Sequence, residues 1–315
     1  LFAVVKLSKI EKDTSFNESD LEFNEGLSSE SQQIMKGYTT IALFGLDNRS
    51  NGNFDSGNSD TIMLCNINNY TKQVELVSVY RDTLMDVDGE ETFRKCNYAF
   101  NHGGIDSALA MLNRNLDLNI TDYVAVDFMA LVAAVDAVDG IDIELTDAEA
   151  EAMNGGYIGE VGAIVGKDAN PVSAGSQHLD GVQATAYCRI RSTAGDDFRR
   201  TERQRTVLTQ IIAKAKSASP TQLASLITGV FPDVDTSIDM DQLLYLAKNM
   251  MDYDLGETKG FPFSKTTDRF GDSIGDAVVP CSLESNVVLL HQELYEDSEY
   301  QAPDSLKKIS DGLID

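Results

Sequence analysis

The sequence predicts a β-sheet flanked by helices, in an α/β or α+β arrangement. Short β-branched or apolar runs of strand length alternate with longer stretches carrying apolar residues at helical spacing. Residues 38–46 (YTTIALFGL), 61–67 and 73–79 read as strands, the last two as a hairpin turning at Asn68-Asn69. Irregular chain then runs to about His102, and 105–116 is a helix with Ile105, Leu109, Leu112 and Leu116 on one face. A strand is expected at 123–126, and the nearly all-apolar 128–138 is a buried helix stopped by Gly140. Residues 141–145 make a strand, and Thr146 with Glu149 opens a short helix through a capping box. The Gly-rich 154–175 reads as one long loop. Helices follow at 180–191, 198–217, from Pro220, at 239–251 and at 283–295, with a short strand at 277–280.

Composition bounds the rest. The 315 residues include 51 acidic and 25 basic side chains, a formal net charge of −26. A general nucleic-acid binder would show the opposite balance, so nucleic acid is not an expected partner. Residues 1–36 are polar and rich in Ser, Asn and Glu, and read as a membrane-proximal stalk or lead-in to a domain spanning 37–315. The apolar LFAVV at the start stops at Lys6, which fits the last turn of an anchor or an extraneous remnant. Cys65 and Cys188 sit in apolar contexts. Cys96 and Cys281 sit in polar ones and are candidates to pair in an oxidising compartment.

Against this acidic background, six of the eleven arginines (Arg189, Arg191, Arg199, Arg200, Arg203 and Arg205) fall within residues 187–205. The guanidinium fork matches phosphate oxygens two at a time. Arg189 and Arg191 end one helix, and Arg200 and Gln204 share a face in the first turns of the next. Cations at a helix N-terminus oppose its dipole, unless an anion is bound there. The window therefore reads as a phosphate site, with Arg199 and Arg205 bystanders. Asp47 and Asp60 flank a loop between two strands and suit a Mg²⁺ shared with substrate phosphate, although Asp is also an ordinary turn former. Arg81-Asp82 closes a core strand, where binding residues of open sheets collect. The GGYIGEVG run has no strand feeding it and is not a dinucleotide fingerprint. His102, His178 and His291 are isolated, and there is no G-x-S-x-G elbow, P-loop or H-E-x-x-H. What the chain offers is the equipment of phosphoryl transfer: arginines, carboxylates and a metal ion.

Seven motifs in order carry a resemblance: GLDNRS at 45–50, NSDTIML at 58–64, SVYRDT at 78–83, KCNYAF at 95–100, GSQHLDG at 175–181, YCRIR at 187–191 and DFRRTERQR at 197–205. Over about residues 38–300 the chain resembles the LytR-CpsA-Psr (LCP) family of bacterial cell-envelope proteins. The resemblance implies a three-layer α/β/α fold, its central mixed sheet flanked by helices, with an apolar tunnel for a prenyl chain. It implies a domain on the outer face of the cytoplasmic membrane, held by an N-terminal anchor. The implied reaction is a phosphotransfer. It moves an anionic glycopolymer, of teichoic acid or capsular type, from a polyprenyl-pyrophosphate carrier to peptidoglycan. Mg²⁺ would be held by Asp47 and Asp60, and pyrophosphate by Arg81, Arg189, Arg191, Arg200 and Gln204 with Asp197 nearby. Asp47 or Asp82 would take the acceptor's proton. Two positions depart from the family pattern: Asn58 stands where Arg is usual, which removes one phosphate contact, and Tyr80 where Pro is usual. The rival readings are a hydrolase of the same lipid pyrophosphate and a non-catalytic regulatory or lipid-binding module.

Overall fold

The computed structural model describes residues 21, 23, 26–47, 54, 57–192, 196–231 and 234–313. Its centre is a mixed six-stranded sheet flanked by helices. In chain order the first strands are β1 (Tyr38–Asp47), β2 (Asn58–Asn68) and β3 (Gln73–Val79). With β6 (Asp122–Val126), β9 (Val234–Thr236) and β10 (Asp254–Phe261) they stand in the order β10-β3-β2-β1-β6-β9. The β2–β3 hairpin is antiparallel with Cys65 opposite Leu76, while β10 runs parallel to β3. The predicted α/β class is therefore the observed one.

The chain forms two compact units, which divide its described residues into 45–47 with 125–252 and 21–44 with 54–124 and 253–313. The second unit contains β2, β3 and β10, the hairpin β4 (Leu84–Asp86) and β5 (Phe93–Lys95), and the helix α2 (Asn97–Leu116). Phe44 and Phe100 pack with centroids 5.5 Å apart, and Leu64, Leu76, Leu109 and Leu112 are fully buried. The helix is interrupted at Gly103-Gly104, where Gly104 takes a φ of 65° that favours glycine. Its regular part thus starts near Ile105, as the apolar spacing requires. At the start of this unit, α1 (Ser29–Met35) is capped by Ser28, and the Ser31 hydroxyl donates to Asp297 at 2.8 Å. At least this part of the expected lead-in is tied to the folded body; residues 1–20 lie outside those described.

The hairpin β4–β5 falls in what the sequence marks as irregular chain. Its strands have three residues each and are fixed by a side chain rather than by apolar alternation. Asn115 donates to the Asp86 carbonyl at 2.7 Å and accepts from the Asp86 N–H at 2.9 Å.

The first unit is built on α3 (Phe128–Ala137), β7 (Ile141–Leu145), α4 (Asp147–Ala152) and α5 (Ile158–Val165). β8 (Gly175–Leu179), α6 (Gly181–Arg189), α7 (Asp196–Lys216), α8 (Pro220–Val230) and α9 (Met240–Lys248) complete it. Val135, Ile141, Val161, Leu179, Val182, Ile190 and Val207 form its core. The long loop expected at 154–175 is not one. A π-helical turn, Met153–Tyr157, joins α4 to α5, and β8 pairs antiparallel with β7. The glycines hid the helix: Ile158, Val161 and Val165 are helically spaced, but Gly155 and Gly156 before them and Gly159 and Gly162 among them lower the apparent propensity.

In the second unit, β11 (Lys265–Phe270), α10 (Gly271–Ile274), β12 (Gly275–Pro280), α11 (Leu283–Tyr295) and α12 (Asp304–Gly312) close the chain. The sequence reading contains no β10, β11 or α12; β10 and β11 are largely polar and carry no apolar run to mark them. The proposed pairing of Cys96 with Cys281 does not form; all four cysteines are free. Cys96 is buried and its thiol donates to the carbonyls of Tyr80 and Arg81 at 3.3 and 3.2 Å, while Cys281 is exposed.

One contact sets how closely α6 approaches α3. A Cβ added at Gly181 would lie 2.3 Å from the Val132 carbonyl oxygen, a main-chain atom that cannot swing aside. Gly181→Ala is expected to destabilise the protein by about 1–3 kcal/mol in urea denaturation. Gly155→Ala, whose added atom meets nothing within 4 Å, is the matched control and should cost far less.

Candidate functional site

Two groups of predicted residues take shape, one in each unit. In the second unit, β2 and β3 set Asp60 against Arg81. Arg81 Nη1 donates to Asp60 Oδ1 at 2.7 Å, with the Asp60 side chain only 7% exposed. Arg81 Nε lies 3.4 Å from Asp82 Oδ2, and Lys95 Nζ lies 3.0 Å from Asp82 Oδ1. The result is a row of alternating charge, Asp60–Arg81–Asp82–Lys95, at the end of a core strand. The Cys96 thiol bonds described above hold the main chain under Arg81. Burial, with the Asp82 charge adding to it, pushes that thiol well above its ordinary range, so it stays a neutral donor. Nothing local in the sequence points Lys95 toward Asp82, because only the hairpin β4–β5 carries it there. Asn58 is exposed at the start of β2.

In the first unit, Arg189 is the last residue of α6. Its guanidinium stacks over the Phe128 ring at 4.8 Å from the centroid. Its Nη1 donates to Glu160 Oε2 at 3.3 Å, and its Nη2 lies 4.0 Å from Asp47 Oδ2. Asp47 Oδ1 is buried and finds no hydrogen-bond partner among the described residues. A buried carboxylate oxygen without a donor is costly, and an oxygen-seeking cation is one way to satisfy it. Arg191 is exposed, and its N–H donates to the Tyr157 hydroxyl at 3.0 Å. On α7, Arg200 and Gln204 are both buried, as their shared face requires, while Arg199 is exposed. Arg205 is also buried. The Asp197 side chain lies outside the described residues. Burial pushes the Cys188 thiol up to about 12 even though the Arg200 and Arg203 charges oppose it.

Arg203 pairs with Glu149 at 2.8 Å and donates through Nη1 to the Ile190 carbonyl at 3.1 Å. Glu149 completes the capping box, its Oε2 accepting from the Thr146 N–H at 3.0 Å and hydroxyl at 2.9 Å. Glu149 and Glu160 are the partners of the arginine window that sequence reasoning missed.

The other titratable groups have structural work. His178 bridges Asp142 and the Asp139 carbonyl at 2.7 Å each. His291 is buried, stacked on Tyr300 at 3.7 Å, and burial depresses it to about 4. Among the described residues no cluster of three or more His, Cys, Asp or Glu could hold a metal. A Mg²⁺ shared with substrate phosphates needs only one or two carboxylates, which Asp47 can help supply. No helix among the described residues is long and apolar enough to cross a membrane.

A mixed sheet flanked by helices, with arginines concentrated at one helix junction and carboxylates beside them, defines the chain as an α/β protein. Over residues 4–267 the sequence matches the LytR_cpsA_psr family, and the chain belongs to that family. The polyisoprenyl-teichoic acid–peptidoglycan teichoic acid transferase TagU of Bacillus cereus (strain AH820) is 31% identical over 215 residues, 68% of this chain and 65% of that protein. TagU of Enterococcus faecalis (strain ATCC 700802 / V583) is 31% identical over 212 residues, 66% of this chain and 64% of its own. The chain thus spans a little under two thirds of the length of these relatives. Solved structures share the fold. B. subtilis TagV superposes with a TM-score of 0.65 at 23% identity, covering 82% of this chain and 98% of its own. The LytR-CPS2A-psr family protein YwtF (TagT) with bound octaprenyl pyrophosphate lipid gives 0.61 at 19% identity, covering 87% and 93%.

The Glu149–Arg203 pair yields a pH prediction. Burial raises the Glu149 carboxyl, but hydrogen bonds from Thr146 and Arg203 outweigh it and hold the group below its ordinary range. A depressed acid contributes stability that is full above its unfolded value, near pH 4.3, and is lost as pH falls through the folded value. The urea midpoint of wild type should therefore exceed that of Glu149→Gln at neutral pH. The gap should close on acidification below about pH 4.

Proposed function

We propose that this protein transfers a phosphate-linked glycopolymer from a polyprenyl-pyrophosphate carrier to peptidoglycan, assisted by Mg²⁺. The place proposed for it is the outer face of a bacterial cytoplasmic membrane, with the chain anchored at its N-terminal side. The observation that carries the reading is Arg189: a largely buried guanidinium backed by Phe128, facing a carboxylate whose second oxygen has no donor. Such an arrangement suits a bound diphosphate and its counter-cation. Relatives named as teichoic acid transferases, and a family structure holding a prenyl pyrophosphate, support the choice of substrate class.

In this reading Arg189, Arg191, Arg200 and Gln204 hold the diphosphate, as does Arg81, and Asp197 lies beside them. Their donors favour the extra charge that develops on the phosphoanhydride oxygens in the transition state. Mg²⁺, held by Asp47 and Asp60, would supply further charge neutralisation there. An acceptor hydroxyl of peptidoglycan forms a bond to the sugar-linked phosphorus. The phosphoanhydride P–O bond breaks, and its electron pair leaves with polyprenyl phosphate. Asp82 is engaged by Lys95 and Arg81, so we assign it to fixing Arg81. The hydroxyl's proton then passes to Asp47 or, through water, to solvent. Phe128 and the apolar face of α3 are offered to the prenyl chain.

Arg189→Ala and Arg200→Ala should each lower transfer from a purified lipid-linked polymer to peptidoglycan by at least about 100-fold. Arg189→Ala should leave the melting temperature within a few degrees of wild type; Arg200 is buried, so its variant needs a folding check. Transfer at the wild-type rate by both variants would overturn the proposal, and polymer phosphate released only to water would turn it into a hydrolase. Glu160 competes with phosphate for Arg189, so Glu160→Gln should tighten pyrophosphate binding by a few-fold in calorimetry, and less so at high salt.

A further inference from the structure

We propose that Arg203 is a positioning residue that aims Arg189 and Arg191 by fixing where the chain leaves α6. The inference rests on the anion-clamp reading above and adds a residue to it that does not itself touch the ligand. Three facts converge on it.

The first is where the arginines sit. Arg189 ends α6, and Ile190 leaves helical geometry with φ −57° and ψ 123°. The direction of both flanking side chains therefore depends on the conformation at Ile190. The last carbonyls of a helix have no partner within it. Here the Ile190 carbonyl is taken by Arg203 Nη1 at 3.1 Å.

The second is that Arg203 is itself fixed from the other side. Its Nε donates to Glu149 Oε1 at 2.8 Å, and both side chains are about nine-tenths buried or more. Glu149 is locked in turn, because its other oxygen takes the N–H and hydroxyl of Thr146. A continuous chain of hydrogen bonds thus runs from the start of α4 through a side chain on α7 to the exit of α6. Lysine could satisfy either end, but its single ammonium lacks the planar fork that meets both at set angles.

The third is that the arginine serves a second surface. Its guanidinium carbon lies 5.8 Å from the centre of the Tyr187 ring, two residues before Arg189. The last turn of α6 is thereby held on its ring side as well as at its terminal carbonyl.

A merely structural role predicts a loss of stability with no special link to Arg189. A positioning role predicts coupling between the two arginines. The test is a double-mutant cycle in the full-length chain, with inorganic pyrophosphate in magnesium buffer as the probe and calorimetry as the readout. Arg203→Lys is measured in the wild-type background and in Arg189→Lys, which keeps a charge but not the fork. Glu149→Gln, which preserves the capping box, is the second variant should Arg203→Lys fold poorly. The expected result is a loss of pyrophosphate affinity of about tenfold for Arg203→Lys in the presence of Arg189, falling to about twofold or less when Arg189 is already lysine. Glu149→Gln should show the same coupling at smaller size. Equal losses in the two backgrounds, or no loss in a folded variant, overturn the inference and leave the clamp intact. Failure of the wild-type chain to bind pyrophosphate overturns the clamp and this inference with it.

Discussion

An arginine stays buried in a protein only while its charge is matched and its donors are occupied. Within the region from Tyr187 to Arg205, Arg203 shows what that condition demands. Arg203 meets it entirely within the protein, through Glu149 and the Ile190 carbonyl. The cost of taking both charges out of water is large, and the attraction offsets it only because the geometry is close and the remaining oxygens of Glu149 are bonded to Thr146. The pair thereby joins three helices of one unit at one point. Val182, Ile190 and Val207 belong to the core of the same unit.

In the other unit Arg81 has its charge matched by a linear arrangement. Asp60 and Asp82 flank it, and Lys95 neutralises the second carboxylate. Each charge has opposite neighbours, which lets the row sit at a strand end with little exposure. The Cys96 thiol adds a weak donor to carbonyls that the strand no longer bonds, and burial keeps that thiol protonated. A net charge of −26 does not conflict with a phosphate ligand, because the sign of the local field is set by the nearest groups. More distant carboxylates on the surface are screened within about 10 Å at moderate salt.

What could be read before the structure follows the same physics. The strands β1, β2 and β3 were legible because burial on a sheet demands continuous β-branched and apolar residues. The capped helices were legible because Thr146, Asp180, Ser219 and Asp239 declare themselves by residue type, each with Glu or Gln three positions on. The largely polar β10 and β11, and the helix α5 with its interspersed glycines, make no such demand on their sequences. In the site, the arginine window was legible as an anomaly of charge, and the common face of Arg200 and Gln204 as a matter of helical spacing. The partnership of Arg203 with Glu149 was not, since 54 residues separate them and either residue alone looks like an ordinary surface charge. The role of Lys95 was hidden for a similar reason, in that a three-residue hairpin carries it to Asp82.

The contrast between Arg203 and Arg189 separates the arginine proposed to position from the one proposed to bind. Arg203 is closed: a carboxylate at hydrogen-bond distance, a carbonyl on the other nitrogen, and little contact with water. Arg189 is equally sheltered on one side by Phe128 but open in its polar contacts. Asp47 stands 4.0 Å away, beyond hydrogen-bond range, and Glu160 is mostly solvated. Such a loose pair recovers little of the desolvation cost of its own guanidinium. An anion that replaced Glu160 could approach closely and accept two bonds from one fork, while a cation took the unfilled oxygen of Asp47. On the proposed reading, the binding energy available at Arg189 is what its contacts with Asp47 and Glu160 leave unsatisfied. In the positioning role proposed for it, Arg203 holds the exit of α6 so that Arg189 stays aimed at such an anion.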